Sequence, residues 1–147
     1  MRAKKKVLLL GPAHPYRGGI ADTQNYLAQN ISRLGHEVLV FTFKYQYPKL
    51  LFPGKTQYSS IPAPKGINIK RKVHSINPLN WIKISNEINQ YDPDIVLFRY
   101  WTPFLAPCWN WISKRLSSNI KKIAVVDNWI PHERKPWDYI LNDLFGK

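Results

Sequence analysis

Apolar residues in this chain follow two alternating patterns: short unbroken runs, and longer stretches where they recur every three or four positions. Lys6–Leu10 ends in four consecutive aliphatics, as expected of a parallel strand covered on both faces. Ile20, Leu27, Ile31 and Leu34 keep helical spacing with Tyr26 beside them, and Gly35 supplies a left-handed stop. Val38–Phe43 reads as a second buried strand. Residues 44–66 break every period; their tyrosines and prolines predict a long aromatic loop, of the kind that carries function or moves. Ile67–Val73 alternates weakly, as a short strand does. Asn77-Pro78 opens a helix with a cap followed by proline. Its stripe is Trp81, Ile84, Ile88 and Tyr91, and Asp92-Pro93 ends it. Asp94–Trp101 is a strand whose polar and aromatic residues gather at its C-terminal end. Thr102-Pro103 repeats the cap and proline before a stripe of Leu105, Trp109, Ile112 and Leu116, with Pro107 disturbing the first turn. Lys122–Val126 reads as another buried strand, and Pro136–Phe145 as a last short helix.

Alternating strands and helices predict an α/β fold: a Rossmann-like, doubly wound, mainly parallel sheet with helices on both faces. Ligands of such sheets sit beyond the carboxyl ends of the strands. Residues 11–19, 99–103 and 127–134 converge there. At 147 residues the chain suits a single domain, residues 1–147, large enough for a real core.

Two of those segments hold candidate chemistry. In Arg17-Gly18-Gly19 the glycines permit close backbone approach at a helix start, and Arg17 adds a planar donor fork for phosphate. The plainer reading is a tight turn that needs positive φ at one glycine. Neither a P-loop nor a G-x-G-x-x-G pattern is present. Residues 127–134 pack Asp127, Asn128, Trp129, His132 and Glu133 together after a strand. Asp127, His132 and Glu133 are candidates for acid, base or hydroxyl-binding roles; the plainer reading is a polar loop whose His132 and Glu133 brace backbone. For Arg99, Tyr100 and Trp101, core filling is the leading reading. His14 and His74 lack a partner spacing for metal, so no metal site is expected, and the serine elbow G-x-S-x-G is absent.

Charge sharpens the picture. Lys and Arg number 22 against 9 acids, a net +13, which attracts polyanions: nucleic acid, anionic headgroups or phosphorylated substrates. Six Trp and eight Tyr add rings suited to membrane interfaces and to stacking on sugars or bases. A single cysteine, Cys108, excludes an internal disulfide and fits a reducing cytoplasm. The basic start followed by Val7–Leu10 mimics a signal peptide, then meets Gly-Pro and His-Pro without its apolar core. No run approaches the roughly 20 apolar residues of a membrane span.

Val7–Pro15, Arg17-Gly18-Gly19-Ile20-Ala21, Leu34–Val38, Asp92–Val96 and Asn128–Glu133 together resemble the N-terminal half of family 4 glycosyltransferases, retaining enzymes of the GT-B fold. The glycine loop and the Leu-Gly-His-Glu-Val segment are the most telling; the likeness runs to about Arg134. The resemblance implies two Rossmann-like domains around a cleft, with this half on the acceptor side. It implies that Gly18 and Gly19, with Arg17 beside them, approach the phosphates or sugar of a nucleotide-diphosphate donor. That donor is a substrate, so no separate cofactor is expected. The resemblance implies a histidine, often as His-Asn, just after the strand equivalent to Ile123–Val126; this chain has Asp127-Asn128 there, a departure that leaves the histidine's role unassigned. The nucleotide-sugar-binding C-terminal domain is absent from this sequence, so the expectation is a fragment with little or no activity alone. A glycan or lipid-linked acceptor is implied, met at the cytoplasmic face of an anionic membrane. Residues 44–66 and the cluster Lys70, Arg71 and Lys72 are the candidate membrane or acceptor face.

Two other readings compete. A non-enzymatic basic α/β module could bind nucleic acid or another polyanion, although no RRM, KH or helix-turn-helix signature is present. A complete small nucleotide-binding enzyme lacks its phosphate fingerprints.

Overall fold

The computed structural model describes residues 3–48, 57–130 and 134–147. Five strands form one sheet: β1 (Lys6–Leu10), β2 (Glu37–Tyr45), β3 (Asn68–His74), β4 (Ile95–Tyr100) and β5 (Lys121–Val126). All neighbours pair in parallel, in the order β3-β2-β1-β4-β5. The chain winds outward from β1 to β3 and then returns to β4 on the other side of β1. That reversal opens a crevice at the carboxyl ends of β1 and β4, where open α/β sheets bind ligands. The fold is the Rossmann-like α/β architecture that the hydrophobic pattern predicts.

Alternate residues of β1 feed two cores. Leu8 and Leu10 face a large cluster with Phe43, Phe98, Trp81, Ile84, Trp109 and Ile112; Val7 and Leu9 face a smaller one with Val40 and Ala28. The large cluster is closed by α2 (Pro78–Tyr91) and α3 (Ala106–Arg115), the small one by α1 (Gly19–Arg33). A last helix, α4 (Asp138–Gly146), packs on α3.

Local chemistry sets the boundaries. Asn77 caps α2 by accepting hydrogen bonds from the N–H groups of Leu79 and Asn80. Gly35 ends α1 with φ +88°, as its position predicts, and Asp92 ends α2 in a left-handed turn.

Four expectations need correction. The buried line of α1 is Ala21, Gln24 and Ala28, while Tyr26 and Leu34 are exposed. Small alanines let the helix backbone lie close to the sheet, so its larger apolar residues flank the contact or miss it. Thr102 makes no side-chain cap; a 3-10 turn, Pro103–Leu105, leads into α3, whose first turn takes Pro107. The β5 strand is not a buried central strand. It pairs only with β4 among the described residues, and Lys121, Lys122, Ala124 and Val126 are exposed along it. The aromatic stretch also begins later than expected, because β2 runs on to Tyr45 past a bulge against β3. Its described end folds back onto the glycine loop: Tyr16 and Tyr58 form an antiparallel bridge, Arg17 N–H donates to Gln57 O at 3.0 Å and Ser59 N–H to Pro15 O at 2.7 Å.

Asp94 ties the base of the sheet. Its carboxylate accepts from Lys5 Nζ at 2.9 Å and from Lys6 N–H at 2.8 Å. The Lys5 bond first, and then the Lys6 N–H, hold its pKa below the usual carboxylate value. A carboxyl depressed in the folded state stabilises above its unfolded pKa, about 4, and loses that contribution as pH falls through the folded value. Asp94→Asn is therefore expected to lower the urea midpoint at pH 7 and to match the parent near pH 2. An equal deficit at both pH values would refute this.

Candidate functional site

The glycine loop sits on the crevice rim. Gly18, at φ +112°, precedes α1 without any side-chain cap, and Asp22 N–H donates to its carbonyl at 2.9 Å. An added Cβ at Gly18 or Gly19 would meet nothing within 4 Å. Gly18 is thus required by its backbone angle, while Gly19 answers to no neighbouring atom and faces open space. A cleft of about 340 Å³ opens beside this turn. Its walls include Tyr16, Arg17 and the two glycines on one side, and Tyr47 and Trp101 on the other. The Trp101 indole N–H donates to the Tyr47 hydroxyl at 2.8 Å. Burial pushes the Tyr47 phenol up to about 12, so it stays protonated through the neutral range.

Beneath the loop lies a polar knot. Arg99, 7% exposed, extends from the end of β4. Its Nε and Nη2 donate to the two carboxylate oxygens of Asp127, in the planar fork-to-carboxylate arrangement. Nη2 also donates to Thr23 Oγ1 at 2.9 Å. The Asp127 side chain is 24% exposed, and its N–H donates to Tyr100 O at 2.9 Å, which continues the β4–β5 pairing. Gly11 makes room for this knot: an added Cβ there would stand 2.6 Å from Arg99 Cβ. Trp109, fully buried, donates its indole N–H to Arg99 O at 2.9 Å.

The glycine turn and the exit of β5 therefore meet on one rim, joined through Arg99. Asn128 follows Asp127 there, half-buried. His132 and Glu133 lie outside the described residues. Of the three residues at the end of β4, Tyr100 fills core, Trp101 lines the cleft and Arg99 is the centre of the knot. The core reading thus holds for Tyr100, holds in part for Trp101, which also packs against the large cluster beside Phe43, and misses Arg99. A cation inside an otherwise apolar strand was the available signal.

Lys70, Arg71 and Lys72 do not make one basic face. They lie where β3 shifts register against β2, and each has different surroundings. Lys72 pairs with Glu87 of α2 and lies over the Phe41 ring, while Lys70 is exposed. Arg71 sits over the rings of Tyr16 and Tyr58, at 5.8 and 5.1 Å, and donates to the Tyr58 hydroxyl at 3.0 Å. It braces the glycine loop and its strap. Among the described residues, no group of three or more His, Cys, Asp or Glu is placed to hold a metal. No helix there is long and apolar enough to cross a membrane.

Sheet order, crevice and glycine-bearing rim define a Rossmann-like α/β domain. Residues 17–145 match the family described as Glycosyltransferase Family 4, and the chain belongs to it. Its function is of the glycosyltransferase type. No curated protein matches the chain with significant similarity.

Proposed function

We propose that this chain forms the acceptor-side wall of a retaining glycosyltransferase. The reaction moves a sugar from a nucleotide-diphosphate donor to a hydroxyl of a glycan or lipid-linked acceptor. The observation that carries this reading is the cleft beside Gly18 and Gly19, where uncapped helix N–H groups and Arg17 face two aromatic side chains. The N–H groups and Arg17 suit the charge that gathers on a departing diphosphate. Tyr47 and Trp101 suit the apolar face of a sugar ring, with Gln46 and Gln57 also at the walls. Asn128 stands at the same rim as a further ligand contact. Asp127, with both carboxylate oxygens bound to Arg99, is better suited to anchoring than to proton transfer, which leaves His132 and Glu133 as acid–base candidates. The net charge of +13 supports an approach to anionic membrane, with Lys70 as one exposed contact.

The test is a titration of the ¹⁵N-labelled chain with pyrophosphate, with neutral oligosaccharides and with duplex DNA, at two salt concentrations. Pyrophosphate is expected to move the Gly18, Gly19 and Ile20 amides, and an oligosaccharide the Trp101 indole. Arg17→Ala should weaken the first and Trp101→Ala the second, each by about tenfold, the worth of one good contact. Shifts spread over the lysines, equal for DNA and pyrophosphate and erased by salt, would favour the basic-module reading instead.

A further inference from the structure

We propose that a hydrogen-bonded relay running from Asp127 through Arg99 and Thr23 to the Gly19 carbonyl fixes the shape of the glycine turn. Arg99 is the positioning residue of this relay and Asp127 its anchor. The directions of the bonds follow from donor counting. Arg99 has only donors, so Thr23 Oγ1 must accept from Nη2. The single hydroxyl proton of Thr23 is then left for a carbonyl. Gly19 O, at 2.7 Å, is the nearer of two, with Ile20 O at 3.0 Å. Both Asp127 oxygens are occupied by the same guanidinium, which sets the plane of the fork.

Packing cannot do this work. Neither Gly18 nor Gly19 has a side chain, and nothing lies within 4 Å of where one would begin. The turn also lacks a capping side chain. Backbone bonds hold it at Arg17 N–H to Gln57 O in the strap and at Asp22 N–H to Gly18 O, and the Thr23 hydroxyl adds the one side-chain bond, on the Gly19 carbonyl. A bond from a buried cation polarises the next hydroxyl and strengthens its own donation. The exit of β5, the end of β4 and the start of α1 are thereby held in one register, so the N–H groups of the turn are fixed before any ligand arrives. The relay deepens the glycosyltransferase reading, because the turn it fixes is that reading's proposed phosphate contact, but its own test needs no ligand.

Thr23 is exposed on α1, so its variants are expected to fold. Thr23→Val keeps the shape and removes the hydroxyl; Thr23→Ser restores it. The readouts are the Gly19 carbonyl ¹³C shift and the ¹⁵N order parameters of Gly18, Gly19 and Ile20. In Thr23→Val the carbonyl shift is expected to move upfield and the order parameters to fall from about 0.85 toward 0.6, with both restored in Thr23→Ser. Arg99→Lys, which retains charge and loses the fork, should follow Thr23→Val. Parental values in Thr23→Val, or a serine variant that behaves like valine, would overturn the relay. A pyrophosphate titration of the same proteins separates the two ideas. Weakening by about tenfold in Thr23→Val, rescued by serine, supports both. A parent chain that binds no pyrophosphate counts against the ligand reading alone, since the carbonyl shift still decides the relay.

Discussion

Asp127→Ala is expected to lower the unfolding free energy by about 3 kcal/mol, because it strands a buried cation. Arg99 would keep its charge at 7% exposure with only Thr23 left among its described side-chain partners. It would also lie near the first turns of α1, where the helix dipole repels positive charge. Partial exposure of the Asp127 side chain lets water reach the gap, which keeps the loss at the lower end of the range for buried pairs. Urea unfolding at neutral pH measures it. Arg99→Met in the same background should recover part of the loss, since removing both charges leaves none unpaired. If the double variant is no more stable than Asp127→Ala, the explanation by stranded charge is wrong. Asp127→His should be destabilising here as well, because an imidazole cannot accept the two-pronged bond.

Trp109→Ala should lower stability by about 4 kcal/mol, near the middle of the range for emptying a large aromatic site. Trp109 is fully buried between Phe43, at 5.6 Å between ring centres, and Phe98, at 5.9 Å. Its indole N–H is also the donor to Arg99 O. Trp109→Phe separates the two contributions. It keeps most of the packing but leaves a buried carbonyl without that donor, at a cost of about 2 kcal/mol. Equal losses in the two variants would mean that the indole bond, rather than the volume, dominates.

The sequence made the central elements plain. Lys6–Leu10 is unbroken because β1 is covered on both faces, and its boundaries are those the pattern predicts. Asn77-Pro78 marks the start of α2 because a cap and a fixed φ are local properties. Errors fall where a residue's fate depends on distant neighbours. The β5 run is as apolar as a core strand, but its exposure follows from having one strand partner among the described residues. The face of α1 is set by how closely alanine lets it approach the sheet, which an apolar count does not register. Lys70, Arg71 and Lys72 are adjacent in sequence but differ in distant partners, Glu87 for Lys72 and Tyr16 and Tyr58 for Arg71. The rim position of Arg17-Gly18-Gly19 and of Asp127 was legible, because glycine at a helix start and polar residues after a strand report on the sheet's carboxyl edge. The role of Arg99 was not, because its partners stand 28 and 76 positions away.

The stitch between Tyr16 and Tyr58 runs against the grain of an otherwise parallel molecule. Through it, the connection between β2 and β3 shares a backbone with the rim. A sequence change near Gln57 or Ser59 reaches the mouth of the crevice without disturbing any strand. The shape of that mouth can therefore drift during evolution, or be redesigned at the bench, by editing a surface ribbon while the scaffold beneath it stays the same.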